Sequence, residues 1–378
     1  MISSFAAATR ILAGVGALDV LHDEFRRLGA RRVAVIADGG LIELGVVDRI
    51  IRDTRIEALV VATVPTETDP SPASVEIGAA AAARSEADAI LGIGGGSALG
   101  AAKAIALLLR NDVPVMSLEG VDRAAHQPVP VIAVPTTAGS GSEVSSALVL
   151  HQPGRVREIV IRGDGYQPKT AVLDATVLRD LPRTPLLYAA LDALSHAMEA
   201  LWARGASLFS EACALRAVPA ILESLPVAAR GALDGANHDG ANDSVLQNLM
   251  EASSLANLAC GNSGLALVHA LSSSPSVPLA HGLQNGILLP HVARWNRDVL
   301  PAAAREYLDR IDVLYDVLGF SARFPAGVAD ADAMVEASRG HVFRENNRRS
   351  ATDDDLRELL DHAGAASSAS LTGEGRHS

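Results

Sequence analysis

Five short apolar runs punctuate the first half of the chain, at residues 32–37 (RVAVIA), 58–64 (ALVVATV), 89–93 (AILGI), 129–134 (VPVIAV) and 170–174 (TAVLD). Ala-rich stretches of helical spacing lie between most of them. Runs of this length suit strands buried on both faces, and the intervening stretches suit crossover helices. Strands joined only by crossovers pair in parallel. The pattern therefore predicts a mostly parallel sheet covered by helices, an α/β architecture.

After Asp174 the texture changes. Apolar residues recur at helical intervals through residues 186–202, 208–224 and 244–259, so the second half reads as all-helical. Pro182 and Pro185 mark the change, and the domain junction is expected near residue 180. The expected division is an α/β domain over 1–180 and a helical domain over 181–362. Residues 363–378 (AGAASSASLTGEGRHS) are small and polar without periodicity and read as a disordered tail.

Composition narrows the partners. With 44 Asp and Glu against 32 Lys and Arg, the net charge is −12 and no basic run carries interleaved aromatics, which argues against nucleic acid. Only Cys213 and Cys260 occur, with no CxxC pair, so neither a disulfide framework nor a thiolate zinc site is expected. The opening MISSF lacks the pattern of a signal peptide, and no run reaches the ~18 uninterrupted apolar residues of a membrane span. A soluble cytoplasmic protein is the expectation.

Three loops could bind an anion or a nucleotide. The run at 89–93 leads directly into Gly94, Gly95, Gly96 and Ser97 and then into a helical stretch, a turn that aims backbone N–H groups and the positive end of a helix at a phosphate. No GK[ST] follows, so it is not a Walker A loop. Asp38 ends an earlier strand, where an acid can accept from an adenosine ribose and repel a 2′-phosphate. It precedes the glycines instead of following them by ~20 residues, which excludes the usual Rossmann fingerprint. Locally, Asp38-Gly39-Gly40 equally suits a turn that closes a strand. Residues 135–143 (PTTAGSGSE) place hydroxyls and glycines after the fourth run, a pattern that also describes an ordinary solvated loop.

The helical half carries the fourth constellation. Asp192 and His196 lie four apart and share a helix face, and His269 and His281 follow in largely apolar surroundings. Three imidazoles and one carboxylate form a mixed N/O shell for Fe²⁺, Zn²⁺ or Mn²⁺ rather than Ca²⁺. Such a site keeps net positive charge, which a Lewis acid needs. The alternative is a surface Asp–His pair with hydrogen-bonded core histidines, as His291 is read to be.

Together these motifs resemble the iron-containing, or group III, alcohol dehydrogenase family over nearly the whole chain. Residues 93–104 (IGGGSALGAAKA) are similar to its GGGSxxDxAKA loop, 135–144 to PTTAGTGSEV, 191–200 (LDALSHAMEA) to MDALTHAIEA, and 268–290 to VHAMAHPLG…PHGxxNAILLP. The resemblance implies an N-terminal Rossmann-like dinucleotide-binding domain, a C-terminal helical metal-binding domain in a dehydroquinate synthase-like arrangement, and a cleft between them. It implies that Asp192, His196, His269 and His281 hold a divalent metal (Fe²⁺ or Zn²⁺), and that Asp38, Asp69, Gly95, Gly96, Ser97, Thr136, Thr137 and Ser140 line an NAD(H) site. A homodimer or larger homo-oligomer goes with it.

Several positions depart from the family pattern. Gly100 stands where most members have Asp, as in the maleylacetate reductase branch, whereas Asp192 matches the metal-dependent members. Glu158 replaces a Lys near the cofactor, with Arg155, Arg157 and Arg162 as candidate compensators. Ser273 replaces the second histidine of HxxxH and, with His269, is the candidate catalytic pair for proton transfer. The C-terminus reads as lacking the family's last helix. The expected function is hydride transfer between NAD(H) and a small, possibly anionic, carbonyl, favouring reduction. The alternatives are a maleylacetate- or phosphonoaldehyde-reducing member, and a member without oxidoreductase activity.

Overall fold

The computed structural model describes residues 4–155, 157–274 and 276–366. They form two compact units. The α/β unit comprises residues 7–182 and Asp234–Ser254; the helical unit comprises residues 4–6, 183–233 and 255–366.

In the α/β unit the strands are β1 (Arg10–Ala13), β2 (Val33–Asp38), β3 (Val60–Thr66), β4 (Ala89–Gly94), β5 (Gly120–Val121), β6 (Val131–Pro135), β7 (Ala147–Leu150), β8 (Ile159–Arg162) and β9 (Thr170–Leu173). Six of them make one sheet in the order β1-β9-β6-β4-β2-β3. Every neighbouring pair in it is parallel. A small second sheet has the order β5-β8-β7. All five apolar runs of the sequence became strands of the main sheet. The pleat explains their composition: in β2, Ala34 and Ile36 enter one core while Val33, Val35 and Ala37 enter the other. A strand buried on both faces has no position for a polar residue until it reaches its end, and β2 meets its first there, at Asp38.

The junction falls between Pro182 and Arg183, and the boundary is not a single cut. Residues Asp234–Ser254, expected in the helical domain, belong to the α/β unit, and the division passes through the helix Asp243–Ser263. Polar side chains account for this. Gln247 accepts from the Ala175 amide and donates to the Leu173 carbonyl, both at 3.0 Å. Arg179 makes a forked pair with Asp243, and the Ser254 hydroxyl donates to Glu143 at 2.6 Å.

The helical unit is built on Arg183–Trp202, Leu208–Asp234, the short Leu267–Ser272, and His281–Trp295. Leu208–Asp234 is long and apolar enough to cross a membrane by composition alone. More than half of its most apolar window is buried in the protein, as in a core helix. At the end of the expected helical domain stands the helix Asp353–His362, started by a Thr352–Asp355 capping box and packed through Leu356, Leu359 and Leu360. The beginning of the expected tail is also structured: Phe324 donates to the Ala363 carbonyl, and Ala366 bridges to Asp330. Residues 367–378 lie outside the described residues.

Candidate metal centre and cofactor cradle

The helix Arg183–Trp202 is buried along nearly all its length, yet it carries Asp192, His196 and Glu199. Their spacing of four and three places them on one face. Two further elements of the helical unit bring the other residues: Leu267–Ser272 carries His269, and His281–Trp295 carries His281 with Asn285 one turn later.

These groups converge on one carboxylate oxygen. Asp192 Oδ1 lies 3.7 Å from His196 Nε2, 3.6 Å from His269 Nε2 and 3.8 Å from His281 Nε2. Asp192, His269 and His281 present ligand atoms all within 4.8 Å of one another. His196 reaches Asp192 and stacks on His269, with ring centroids 4.8 Å apart, but it falls outside that mutually close set. His291, read as structural, bonds the Ala322 carbonyl.

Two residues escaped the sequence reading. Glu199, fully buried, bonds His269 Nδ1 at 2.6 Å and accepts from the amides of Ala266, Val268 and His269. It fixes the imidazole orientation that leaves Nε2 free for a metal, as carboxylates behind ligating histidines do. Asn285 Nδ2 lies 2.7 Å from Asp192 Oδ1, 3.1 Å from His269 Nε2 and 3.0 Å from His281 Nε2. Both signals stood in the sequence, Glu199 three residues after His196 and Asn285 four after His281, the spacings of a shared helix face.

The electrostatics suit a cation. Burial works against charge on Asp192, but His196, His269 and His281 hold it well below the ordinary carboxylate range. Burial lowers His196 to about 4, which keeps its ring neutral. Burial also opposes charge on His269, but Glu199 and Asp192 outweigh it and push its basicity up to about 10. The anions thus favour positive charge at this ring, a proton or a metal ion at Nε2. His196 Nδ1 and Asn285 Oδ1 are buried polar atoms without a hydrogen-bond partner. This donor set, one carboxylate and clustered imidazoles with their Nε2 atoms turned together, fits a divalent ion. His281 is the exposed member of the group, so solvent and ligands reach the site from its side.

Ser273, the candidate proton relay, spends its hydroxyl hydrogen on the His269 carbonyl at 2.5 Å. The donor that the sequence suggested is therefore committed to the main chain.

In the α/β unit, the loops after β2, β3, β4 and β6 carry the expected cofactor residues. Gly94 has φ 146°, and a Cβ there would lie 2.6 Å from Ala98. A Cβ on Gly96 would come within 2.9 Å of Ser140. The helix Gly96–Leu108 begins at Gly95 with no side-chain cap, which leaves its first N–H groups available to an anion. Thr136 donates its amide to the Gly94 carbonyl, a Cβ on Gly95 would face Thr137, and Ser97 Oγ accepts from the Asp69 amide at 3.2 Å. Asp38 caps the short helix Gly39–Glu43, accepting from Gly40 and Leu41. Asp38 therefore closes the turn as an N-cap, through Oδ1.

Lys103, fully buried, fastens the 135–143 loop and the segment after it. Its ammonium reaches the carbonyls of Ser142, Ser145 and Ala147, with the buried Glu143 nearby. Gly100 packs against β7, where an added Cβ would sit 3.8 Å from the Val149 carbonyl. Glu158 and Asp69 both flank His151, at 3.6 and 3.7 Å, and Arg155 is forked onto Glu119.

Comparison with known proteins places these features in a family. Residues 8–175 match the family model for iron-containing alcohol dehydrogenase, and residues 186–337 match the C-terminal model of the Fe-containing alcohol dehydrogenase family. A probable alcohol dehydrogenase, EutG of Salmonella typhimurium, is 33% identical over 301 residues, covering 79% of this chain and 74% of its own. The NAD-dependent methanol dehydrogenase of Bacillus methanolicus is 26% identical over 376 residues, covering 93% and 97%. Among solved structures, sulfoacetaldehyde reductase from Bifidobacterium kashiwanohense, in complex with NAD+, has the same fold. Its TM-score is 0.85 at 23% identity, over 97% of this chain and 100% of that one.

Proposed function

The chain belongs to the iron-containing alcohol dehydrogenase family, and on that premise we propose that it reduces a short aliphatic aldehyde or ketone with NADH, reversibly. The observation that carries this reading is the convergence of three imidazole Nε2 atoms within 3.8 Å of Asp192 Oδ1, with Glu199 locked behind His269.

Asp192, His269 and His281 hold the divalent metal, with His196 as the fourth candidate ligand. Bound there, the ion supplies Lewis-acid polarisation of a carbonyl, and NADH supplies the hydride. Everything else falls to the chain. A divalent ion held against one carboxylate would leave positive charge uncompensated, so the site favours a substrate oxygen that gains negative charge during reduction. Glu199 keeps His269 oriented without rearrangement during the reaction. Gly94, Gly95, Gly96 and Ser97 let a pyrophosphate approach the backbone, Thr136, Thr137 and Ser140 line the same cradle, and Asp69 borders it. Asp38 favours NAD(H) over its 2′-phosphorylated form. Because the Ser273 hydrogen is held by the His269 carbonyl, proton delivery falls to water reaching the exposed side of His281.

A small substrate agrees with the scarcity of aromatic residues, 3% of the chain, and with the one- and two-carbon compounds for which two of the relatives are named. An uncharged one agrees with Glu158 and Asp69 around His151 and with Arg155 being held by Glu119. The two cysteines are unpaired, in keeping with a reducing cytoplasm. A homo-oligomer is part of the same proposal.

The test follows NADH absorbance with metal-loaded protein and a panel of C1–C4 aldehydes beside maleylacetate, sulfoacetaldehyde and a phosphonoaldehyde. Turnover of the neutral aldehydes is expected. Turnover of the anionic compounds alone would overturn the substrate class. No turnover at full metal content would overturn the reaction.

A further inference from the structure

We propose that an arginine-lined cavity in the helical unit binds a phosphate monoester of a small, hydroxyl-bearing molecule. None of its lining residues is a candidate metal ligand, so this site stands apart from the reaction proposed above.

The guanidiniums of Arg204, Arg339 and Arg344 line a cavity of about 410 Å³ together with Glu345, Ser350 and Asp353. That volume suits a small organic molecule rather than a bare ion. The fold gathers these residues from four places. Arg204 follows the helix Arg183–Trp202, and the neighbouring Ala203 forms an antiparallel bridge with Asn347. The Arg204 amide donates to the Asn346 carbonyl at 2.7 Å and the Arg348 amide to the Trp202 carbonyl at 3.0 Å, which lays residues 346–348 alongside Arg204. Arg344 comes from the short helix Val342–Asn346, Arg339 follows the helix Ala331–Ser338, and Asp353 opens the helix Asp353–His362.

The charges in the wall are unevenly matched. Asp353 serves two cations, Arg339 at 2.7 Å and Arg344 at 2.8 Å, and Arg339 also meets Glu336. Arg204 has no carboxylate partner among the described residues. Its Nε donates to the carbonyls of Glu345 and Asn347 and its Nη2 to Ser350 Oγ, so the group is held in place without being neutralised. Among the described residues, Nη1 of Arg204 has no acceptor. The Arg344 side chain is only 11% exposed. It spends Nη1 on Ser338 Oγ and Nη2 on the Ala351 carbonyl and Asp353, while its Nε has no acceptor among the described residues. Fixed guanidiniums with donors in reserve match the oxygens of a phosphate, and little side-chain freedom is lost on binding. A monoester brings nearly two negative charges at neutral pH. Glu345 and Asp353 repel a second anionic group and can accept from hydroxyls, so the remainder of the ligand is neutral and polar. The lining offers no aromatic or large aliphatic side chain for an apolar one.

The experiment is calorimetric titration at low salt, on metal-loaded protein with NAD⁺ present to fill the glycine loop. The probes are glucose 6-phosphate, inorganic phosphate and glucose. Wild type is expected to bind the ester with a millimolar or lower Kd, inorganic phosphate more weakly and glucose not at all. Arg204→Gln should weaken the ester at least about 10-fold. Ser350→Glu keeps every arginine and sets a carboxylate beside Arg204; it should abolish binding and raise the melting temperature in phosphate-free buffer, a gain that loss of packing would not produce. Hydrogen exchange should slow at residues 344–350 when the ester binds. Equal binding by wild type and Ser350→Glu would overturn the site, as would protection confined to residues 94–97 or a wild type that binds none of the probes. Inorganic phosphate binding as tightly as the ester would overturn the ligand class. If Arg204→Gln does not fold, Ser350→Glu decides. Should NAD⁺ fail to bind while wild type and Ser350→Glu still differ, the proposed reaction fails and this site stands.

Discussion

Glu199 and Lys103 are both fully buried charges that the fold surrounds with partners. Breaking one side of such an arrangement strands the other, at a cost of about 3–5 kcal/mol. Glu199→Gln keeps the shape but sets an NH₂ against the His269 Nδ1–H or the amides of Ala266 and Val268. Metal affinity should fall about 10- to 100-fold, read by chelator competition; an unchanged affinity would reduce Glu199 to a helix cap. Lys103→Met leaves the carbonyls of Ser142, Ser145 and Ala147 without donors and Glu143 without its counter-charge. It should lower urea stability by about 3–5 kcal/mol, partly restored by adding Glu143→Gln. A loss below about 1 kcal/mol would show that water replaces the ammonium. The ligands were legible because histidines and an acid at turn spacing in apolar sequence are chemically conspicuous. Glu199 and Asn285 were not, because a Glu or an Asn one turn from a histidine reads as an ordinary polar face until the helix proves to be buried.

At the scale of elements, five of the six strands of the main sheet could be read because double-sided burial leaves continuous apolar runs. β1, β5, β7 and β8 could not. They have two to four residues each, and β8 alternates buried with exposed, so no run long enough to register forms. The helix Asp353–His362 is legible locally, since Thr352 and Asp355 spell a capping box and Leu356, Leu359 and Leu360 recur at helical spacing. Close helix contact is a different matter. A Cβ on Gly282 would lie 2.3 Å from the Tyr188 carbonyl oxygen, a backbone atom that cannot swing aside. Gly282→Ala should therefore push His281–Trp295 away from Arg183–Trp202, destabilise by about 1–3 kcal/mol, and weaken metal binding, because His281 and Asn285 ride on that helix. Thermal unfolding and metal titration of one preparation check both, and intact metal affinity would show that the helices part without moving the ligands.

For the molecule as a whole, stability is linked to protons and metal. His196 and Lys103 are bases whose folded-state pKa burial lowers, from 6.5 to about 4 and from 10.5 to about 7. The unfolded chain takes up their protons first, so His196 adds stability to the metal-free protein as pH rises from about 4 to 6.5 and Lys103 from about 7 to 10.5, whereas His269, raised from 6.5 to about 10, loses its contribution over that range and offsets Lys103. Denaturant midpoints across pH should therefore rise in the lower window and level off above it, and Lys103→Met should turn the level stretch into a fall. Metal at a thousandfold excess over its Kd should add about 4 kcal/mol, with hydrogen-exchange protection centred on the helices that carry Asp192, His269 and His281. Protection confined to the α/β unit would contradict the ligand assignment.

The amino-acid sequence by itself determined the layered α/β half, the helical half, the glycine cradle and the ligand types, because each is written in local spacing that obeys a period of two or about 3.6 residues. Tertiary structure alone decided which unit Asp234–Ser254 joined, that Glu199 stands behind His269, and that Asn285 faces the ligands. Those outcomes depend on contacts between residues far apart in the chain, and the burial that gives a carboxylate or an amide its consequence exists only once the helices have packed.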